Sequence, residues 1–415
     1  MSSVSAPGSK RLVAGRLQVY ALAALALQVV VLLIWMIRFY LVEDRAAPMV
    51  GYDFSVFWSA ARVALERNAA SVFSAQWVGP IEAAVRHQDG YSPWPYPPTF
   101  LLVVVVLGLL PFTGALLLYL GCGLCAYAVM LARIRRKIDR ALLPLLAAFP
   151  GIPVAVGMGQ STLLTVSAAG AALILLESRS AVAGIFIAML AIKPQFGVLF
   201  PVALVCGRQW KALVVAALCT LAFTAASVAV FGVDAWRAFA AYLPEFNRIA
   251  VEQGGSGMWP GMPTVFAMSR ALGCPVGVAY AVHGLVAAPA VIVVAFLWAG
   301  RARFELRAAA LVCATLLVQP HLMFYELAWL ILPITLLLRD ARKQALSRAE
   351  WTVLAAAWLA PLQGVLAAYV GWYLQVVPLV LFAMLGMVVR RHLRSPGIRR
   401  SAAGAATDVA IGPYS

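Results

Sequence analysis

"LQVYALAALALQVVVLLIWMIRFYL", residues 17 to 41, decides the fold class. The run holds one charged residue, Arg38, and a helix of that length, rising 1.5 Å per residue, crosses the roughly 30 Å of hydrocarbon in a bilayer. No small-residue cleavage site of the secretory kind follows it, so it reads as a retained first membrane helix. Further apolar blocks follow as far as residue 390, each able to cross wholly or in part. Composition agrees: 12% of the residues are charged, where a soluble domain carries roughly 25%. The chain therefore reads as an all-α polytopic membrane protein.

The net charge of +16 invites a nucleic-acid reading, and topology removes it. Segments assigned to the inner face, among them "RIRRKIDR" (133–140) and the tail "RRHLRSPGIRR" (390–400), hold 23 basic and 6 acidic residues; everything else holds 9 and 10. The whole excess lies on one face, as the positive-inside bias requires. No nucleic-acid partner is expected.

Alternation from that tail back towards the N-terminus works except at 97–132, which must cross an odd number of times yet looks like two short helices split by "LPFTG" (110–114). Taking one block as partial or re-entrant leaves about twelve crossings with both ends inside. The expected organisation is a cytoplasmic segment 1–16, one transmembrane domain 17–390 with long outer loops at 42–96 and 233–275, and a basic, disordered tail 391–415. None of the six cysteines falls in 42–96, so no disulfide framework holds that loop.

Within the first loop, "GYDFSVFW" (51–58) places a carboxylate among aromatic rings. Phe54, Phe57, Trp58, Ala61 and Leu65 fall at helical spacing, with Ser55, Ser59, Arg62 and Glu66 on another side. This predicts an amphipathic helix of about four turns along the outer surface, its aromatic face towards lipid or bundle. Asp53 is then an N-cap or first-turn residue, and also a carboxylate fixed at the boundary that can take a proton from a hydroxyl.

Polarity is spent in four more places. "YSPWPYPPTF" (91–100) contains Tyr96 and prolines at a helix start; "MGQST" (158–162) puts Gln160 in a turn; "AIKPQFG" (191–197) breaks two half-length blocks at Lys193, which either snorkels or meets an anion; "VQPHLMFYEL" (318–327) offers His321 and Glu326. Trp77, Trp94, Tyr96, Trp236 and Trp259 either stack on a sugar or anchor the chain at the interface.

In order, "DFSVFWSAARVAL", "YPPTFLLVVVVLGLLP", "GMGQSTLL", "AGIFIAMLAIKPQFGVLFPVAL" with "RQWKA", and "QPHLMFYELAWL" resemble the pattern of glycosyltransferase family 87 over roughly residues 50 to 335. The resemblance implies a bacterial inner-membrane enzyme of the GT-C type that moves a mannose-like hexose or a pentose from a polyprenyl monophosphate to a hydroxyl of a lipid-linked or glycan acceptor. It implies transfer on the periplasmic face, with inversion, without metal or other cofactor, in cell-envelope biosynthesis. It makes Asp53 the general base and places Lys193 and His321 near the donor phosphate, with Gln160, Tyr96 and Arg62 as further substrate contacts. Where the family often has an aspartate shortly after its "PH" pair, this chain reads "FYEL", and Glu326 stands in for it.

Few charges suffice for such chemistry, because phosphate is already the leaving group: one base serves the acceptor and one or two cations serve the phosphate. A retaining double displacement would need a second carboxylate, for which Glu43 and Asp44 are the neighbours in sequence. A transporter or lipid flippase is the alternative, but it would line the bundle with polar groups at mid-depth, whereas here they gather at block ends. A scaffold gives no reason for "AIKPQFG" or His321.

Overall fold

A computed structural model describes residues 7–44, 46–136, 138–371 and 374–395, and these form helices and turns without a strand. The expected disordered stretch at the end of the tail lies outside the described residues, as do the first six. Five helices are long and apolar enough to cross a membrane: Gln18–Leu41, Phe112–Ile134, Arg140–Met158, Trp210–Phe231 and Val276–Ala299. Shorter apolar helices lie between them, including Pro98–Leu109, Thr162–Leu175, Ser180–Ile192 and Pro194–Cys206. The chain is a multi-pass membrane protein. The ambiguous stretch 97–132 divides unequally at Pro111, into the short Pro98–Leu109 and the full-length Phe112–Ile134.

The break at "AIKPQFG" has a local cause. Pro194 lacks an amide hydrogen and its ring excludes Lys193 from helical geometry, and Lys193 accordingly adopts φ −141°, ψ 77° between two short 3₁₀ turns. Near the break the hydroxyl of Thr99 donates to the Ala191 carbonyl at 2.7 Å. The lysine is thereby turned inwards, 3% exposed, on an interrupted helix.

Tyr52–Glu66 forms the loop helix at the expected place and length. The structure decides between the alternatives its sequence left open. Its aromatic face turns towards the protein: Phe54, Phe57 and Ala61 are buried, and so are Ser55 and Ser59 from its polar side. The proline-rich stretch after it folds back, so that Phe57 meets Tyr96, Phe100 and Tyr119 edge-on at 4.9–6.0 Å while Trp94 stacks on Phe100 at 5.5 Å. Each buried ring contributes roughly 1.5–3 kcal/mol. Of the two places open to Asp53, N-cap or first turn, it takes the first turn. Gly51, left-handed at φ 88°, holds the N-cap position, and its amide donates to the Gly157 carbonyl at 2.7 Å, which leaves Asp53 in the first turn with its side chain free to turn elsewhere.

Gly159 closes this junction. It ends the helix Gly151–Met158 at φ 70°, and a Cβ there would lie 2.7 Å from both Gly51 Cα and Phe54 Cβ. Gly159→Ala is expected to destabilise by more than the roughly 1–2 kcal/mol of left-handed strain alone, read as a fall in Tm in detergent. An unchanged Tm refutes the contact.

The second long loop carries the helices Val233–Phe246 and Val265–Ala271, joined through a wide turn at Asn247–Glu252. It rests on the first: Phe73 packs against Phe239 and Tyr242 at 5.9 and 5.5 Å, and the Tyr91 and Tyr242 hydroxyls share a hydrogen bond of 3.3 Å. On the last described helix, Val377–Leu393, the fully buried guanidinium of Arg391 meets Asp340 at 2.8 Å and Glu350 at 3.2 Å, and Arg303 reaches Asp340 at 3.1 Å.

Candidate active site

Four of the polar residues singled out in the sequence form one chain of contacts. Gln160, 3% exposed just after the Gly159 turn, donates through Nε2 to Asp53 Oδ2 at 2.7 Å and accepts at Oε1 from Lys193 Nζ at 3.0 Å. Only this amide orientation serves both neighbours, since a carboxylate accepts and an ammonium donates. Lys193 also ion-pairs with Glu326 Oε1, whose other oxygen accepts from Thr162 Oγ1 at 2.8 Å. The Tyr96 hydroxyl lies 3.3 Å from Gln160 Nε2, and the lysine ammonium sits 5.4 and 5.6 Å from the Tyr96 and Tyr325 rings. The turns that seemed merely structural deliver Gln160 and Lys193 to one point.

Asp53 itself is half-buried. Loss of hydration raises its carboxyl from the usual range to about 6, against the opposing pull of the Gln160 hydrogen bond and the positive charges of Lys193 and Arg86. His321 lies in the turn before Phe324, with its ring edge-on to Phe246 at 5.5 Å and a buried Nε2 that meets no partner in the described residues. Burial, helped by the charge on Lys193, lowers this imidazole to about 4 and keeps it neutral at physiological pH. A half-buried carboxylate of raised pKa, a cation already balanced by an acid, and an unpartnered imidazole make a site that can take a proton and receive an anion.

The sequence matches the model of glycosyltransferase family 87 over residues 94–320, more than half of its length. The chain belongs to glycosyltransferase family 87. No match was found among curated proteins or among solved structures. As a family 87 member it is a membrane glycosyltransferase. The matched segment contains Tyr96, Gln160 and Lys193, while Asp53, His321 and Glu326 lie outside it; hydrogen bonds and ion pairs, not sequence similarity, join Asp53 and Glu326 to the matched core.

Arg62 does not reach this constellation. It ion-pairs with Glu66, donates to the Gly108 carbonyl at 3.3 Å and lies over the Trp58 ring, on the side of the loop helix away from Asp53. Nine residues separate Arg62 from Asp53, which at 3.6 residues per turn is half a revolution. Asp44 is likewise held elsewhere, paired with Arg38 at the end of the first helix. Among the aromatic candidates, Trp94 is core and has no free face, and Trp77 is covered by the Arg67 guanidinium at 3.3 Å.

Sequence reasoning missed a second buried pair. Arg86 and Glu82, 3.0 Å apart and almost fully buried, sit behind Asp53: Arg86 donates to Ser55 Oγ at 2.7 Å and Ser92 Oγ at 2.8 Å and also reaches the Tyr52 carbonyl. Burial pushes the Glu82 carboxyl up to about 7, against the opposing charge of Arg86. The signal was present as an i, i+4 Glu–Arg spacing, but such spacings are common on solvated helix faces. Thr162 and Tyr325 were also missed, being apolar-block residues by their surroundings in sequence.

Proposed function

We propose that this family 87 enzyme transfers a hexose or pentose from a polyprenyl monophosphate to an acceptor hydroxyl, with inversion, on the periplasmic face of a bacterial inner membrane. The reading takes residues 17–390 as one GT-C-type bundle of about twelve crossings. The observation that supports it best is the chain Asp53–Gln160–Lys193, which sets a potential base beside a potential phosphate contact. The acceptor hydroxyl gives its proton to Asp53 as its oxygen attacks the anomeric carbon; the bond from that carbon to the phosphate oxygen breaks, and polyprenyl monophosphate leaves with the electron pair. An ammonium offers three hydrogens, two of which already serve Gln160 and Glu326; the third, with the His321 ring, serves the growing phosphate charge. Gln160 holds the base at a fixed distance from the cation.

The test is purified protein in liposomes with a labelled polyprenyl-phosphate hexose and a hydroxyl acceptor, reading product configuration by NMR. A new glycoside of inverted configuration is expected; donor moved across the bilayer without a new glycosidic bond overturns the reading. The pH profile adds a second check. A base must be deprotonated, so kcat/KM is expected to rise with pH through about 6, the value to which burial raises Asp53, and not near 4 where an ordinary carboxylate titrates. A limb centred near 4 removes Asp53 from that role.

A further inference from the structure

Away from the site, the spanning helix Val276–Ala299 and the last described helix Val377–Leu393 lie side by side, with Phe296 meeting His392 at 5.7 Å. Between them lies a groove of about 530 Å³. Pro289 and Val293 line one wall; Phe382, Gly386 and Val389 line the other. A Cβ added at Gly386 meets nothing within 4 Å, so the missing side chain leaves part of this space open.

One end of the groove is charged. Arg390 and Arg394, one helical turn apart and both exposed, line it there. Their neighbour Arg391 spends its guanidinium on Asp340 and Glu350, whereas neither Arg390 nor Arg394 has an acidic partner in the described residues. The pattern is an apolar slot about 18 Å long, from 382 to 394 at 1.5 Å per residue, closed at one end by two cations that no acid among the described residues neutralises.

We propose that this groove holds a membrane phospholipid of net negative charge, one acyl chain lying along Gly386 and the phosphodiester meeting Arg390 and Arg394. Basic pockets between transmembrane helices suit anionic headgroups, and each arginine near such a surface favours an anionic lipid. A zwitterionic lipid offers the same chain but carries its own cation, which the two arginines repel. The groove is separate from the Asp53 site, and the proposal stands whether or not the sugar chemistry above is correct.

The experiment is native mass spectrometry of the full-length protein released from nanodiscs of equal parts phosphatidylglycerol and phosphatidylcholine. Phosphatidylglycerol is expected to remain bound in preference to phosphatidylcholine. Arg390→Gln combined with Arg394→Gln is expected to lower its retention about tenfold, and Gly386→Leu, whose Cβ meets no atom within 4 Å, to lower retention of either lipid. Equal retention of the two lipids by the unmodified protein overturns the proposal, as does unchanged retention in the arginine variant. A protein dimer that Gly386→Leu dissociates, with lipid retention unaltered, assigns the groove to a second copy instead.

Discussion

Asp53→Asn is expected to lower kcat by about 10²–10⁴-fold, the usual contribution of a positioned general base, without lowering Tm at neutral pH. The two halves of this result have one cause. Because burial raises the Asp53 carboxyl to about 6, the folded state binds a proton more readily than the unfolded chain between its ordinary value and 6. Stability contributed by this group is therefore lost as pH rises through that window, and at pH 7.5 the charged carboxylate is a cost to folding. Asparagine keeps the size of the side chain and an oxygen for Gln160 Nε2, and it removes the charge. A stability loss in proportion to the activity loss would make Asp53 a structural residue, and full activity in the variant would remove it from the mechanism.

Lys193→Met is expected to be the most destabilising single change in the site. It strands Glu326, which is 4% exposed, without its cation, and breaking a buried pair from one side costs about 3–5 kcal/mol. Adding Glu326→Gln removes the stranded charge while keeping an acceptor for Thr162, so the double variant is expected to recover most of the lost Tm. Activity separates the roles. If Lys193 serves the leaving phosphate, the double variant folds and remains roughly 10²–10³-fold slow, the scale of one lost electrostatic contact in a transition state. Recovery of activity along with Tm would confine Lys193 to holding the fold.

What the sequence made legible were features set by near neighbours. The 3.6-residue spacing of Phe54, Phe57 and Ala61 located the loop helix, and Lys193 before Pro194 located the broken one, because both depend on local sterics. The direction each element faces was not legible. Ser55 and Ser59 read as a solvated side, but Arg86, thirty-one residues from Ser55 in the chain, reaches back to bury that side. Gln160 read as a turn residue and does follow a turn, yet its partner Asp53 lies 107 residues away. The helix cap stayed open for a related reason: Gly51 takes that position through a bond to Gly157, a residue of another helix. Contacts of this kind depend on how whole helices pack, which periodicity does not encode.

The span of those contacts governs when the enzyme comes into being. Asp53 waits for Gln160, and Lys193 waits for Glu326 a further 133 residues along. Pairings so distant in the chain close late, after the intervening segments have been made and inserted. A nascent chain that has already delivered its first loop therefore carries Asp53 as an ordinary carboxylate, ionised and unplaced. Asp53 gains its partner when the segment bearing Gln160 packs, and Lys193 gains its counter-charge only when the segment bearing Glu326 arrives, so the site is complete only when the bundle nearly is.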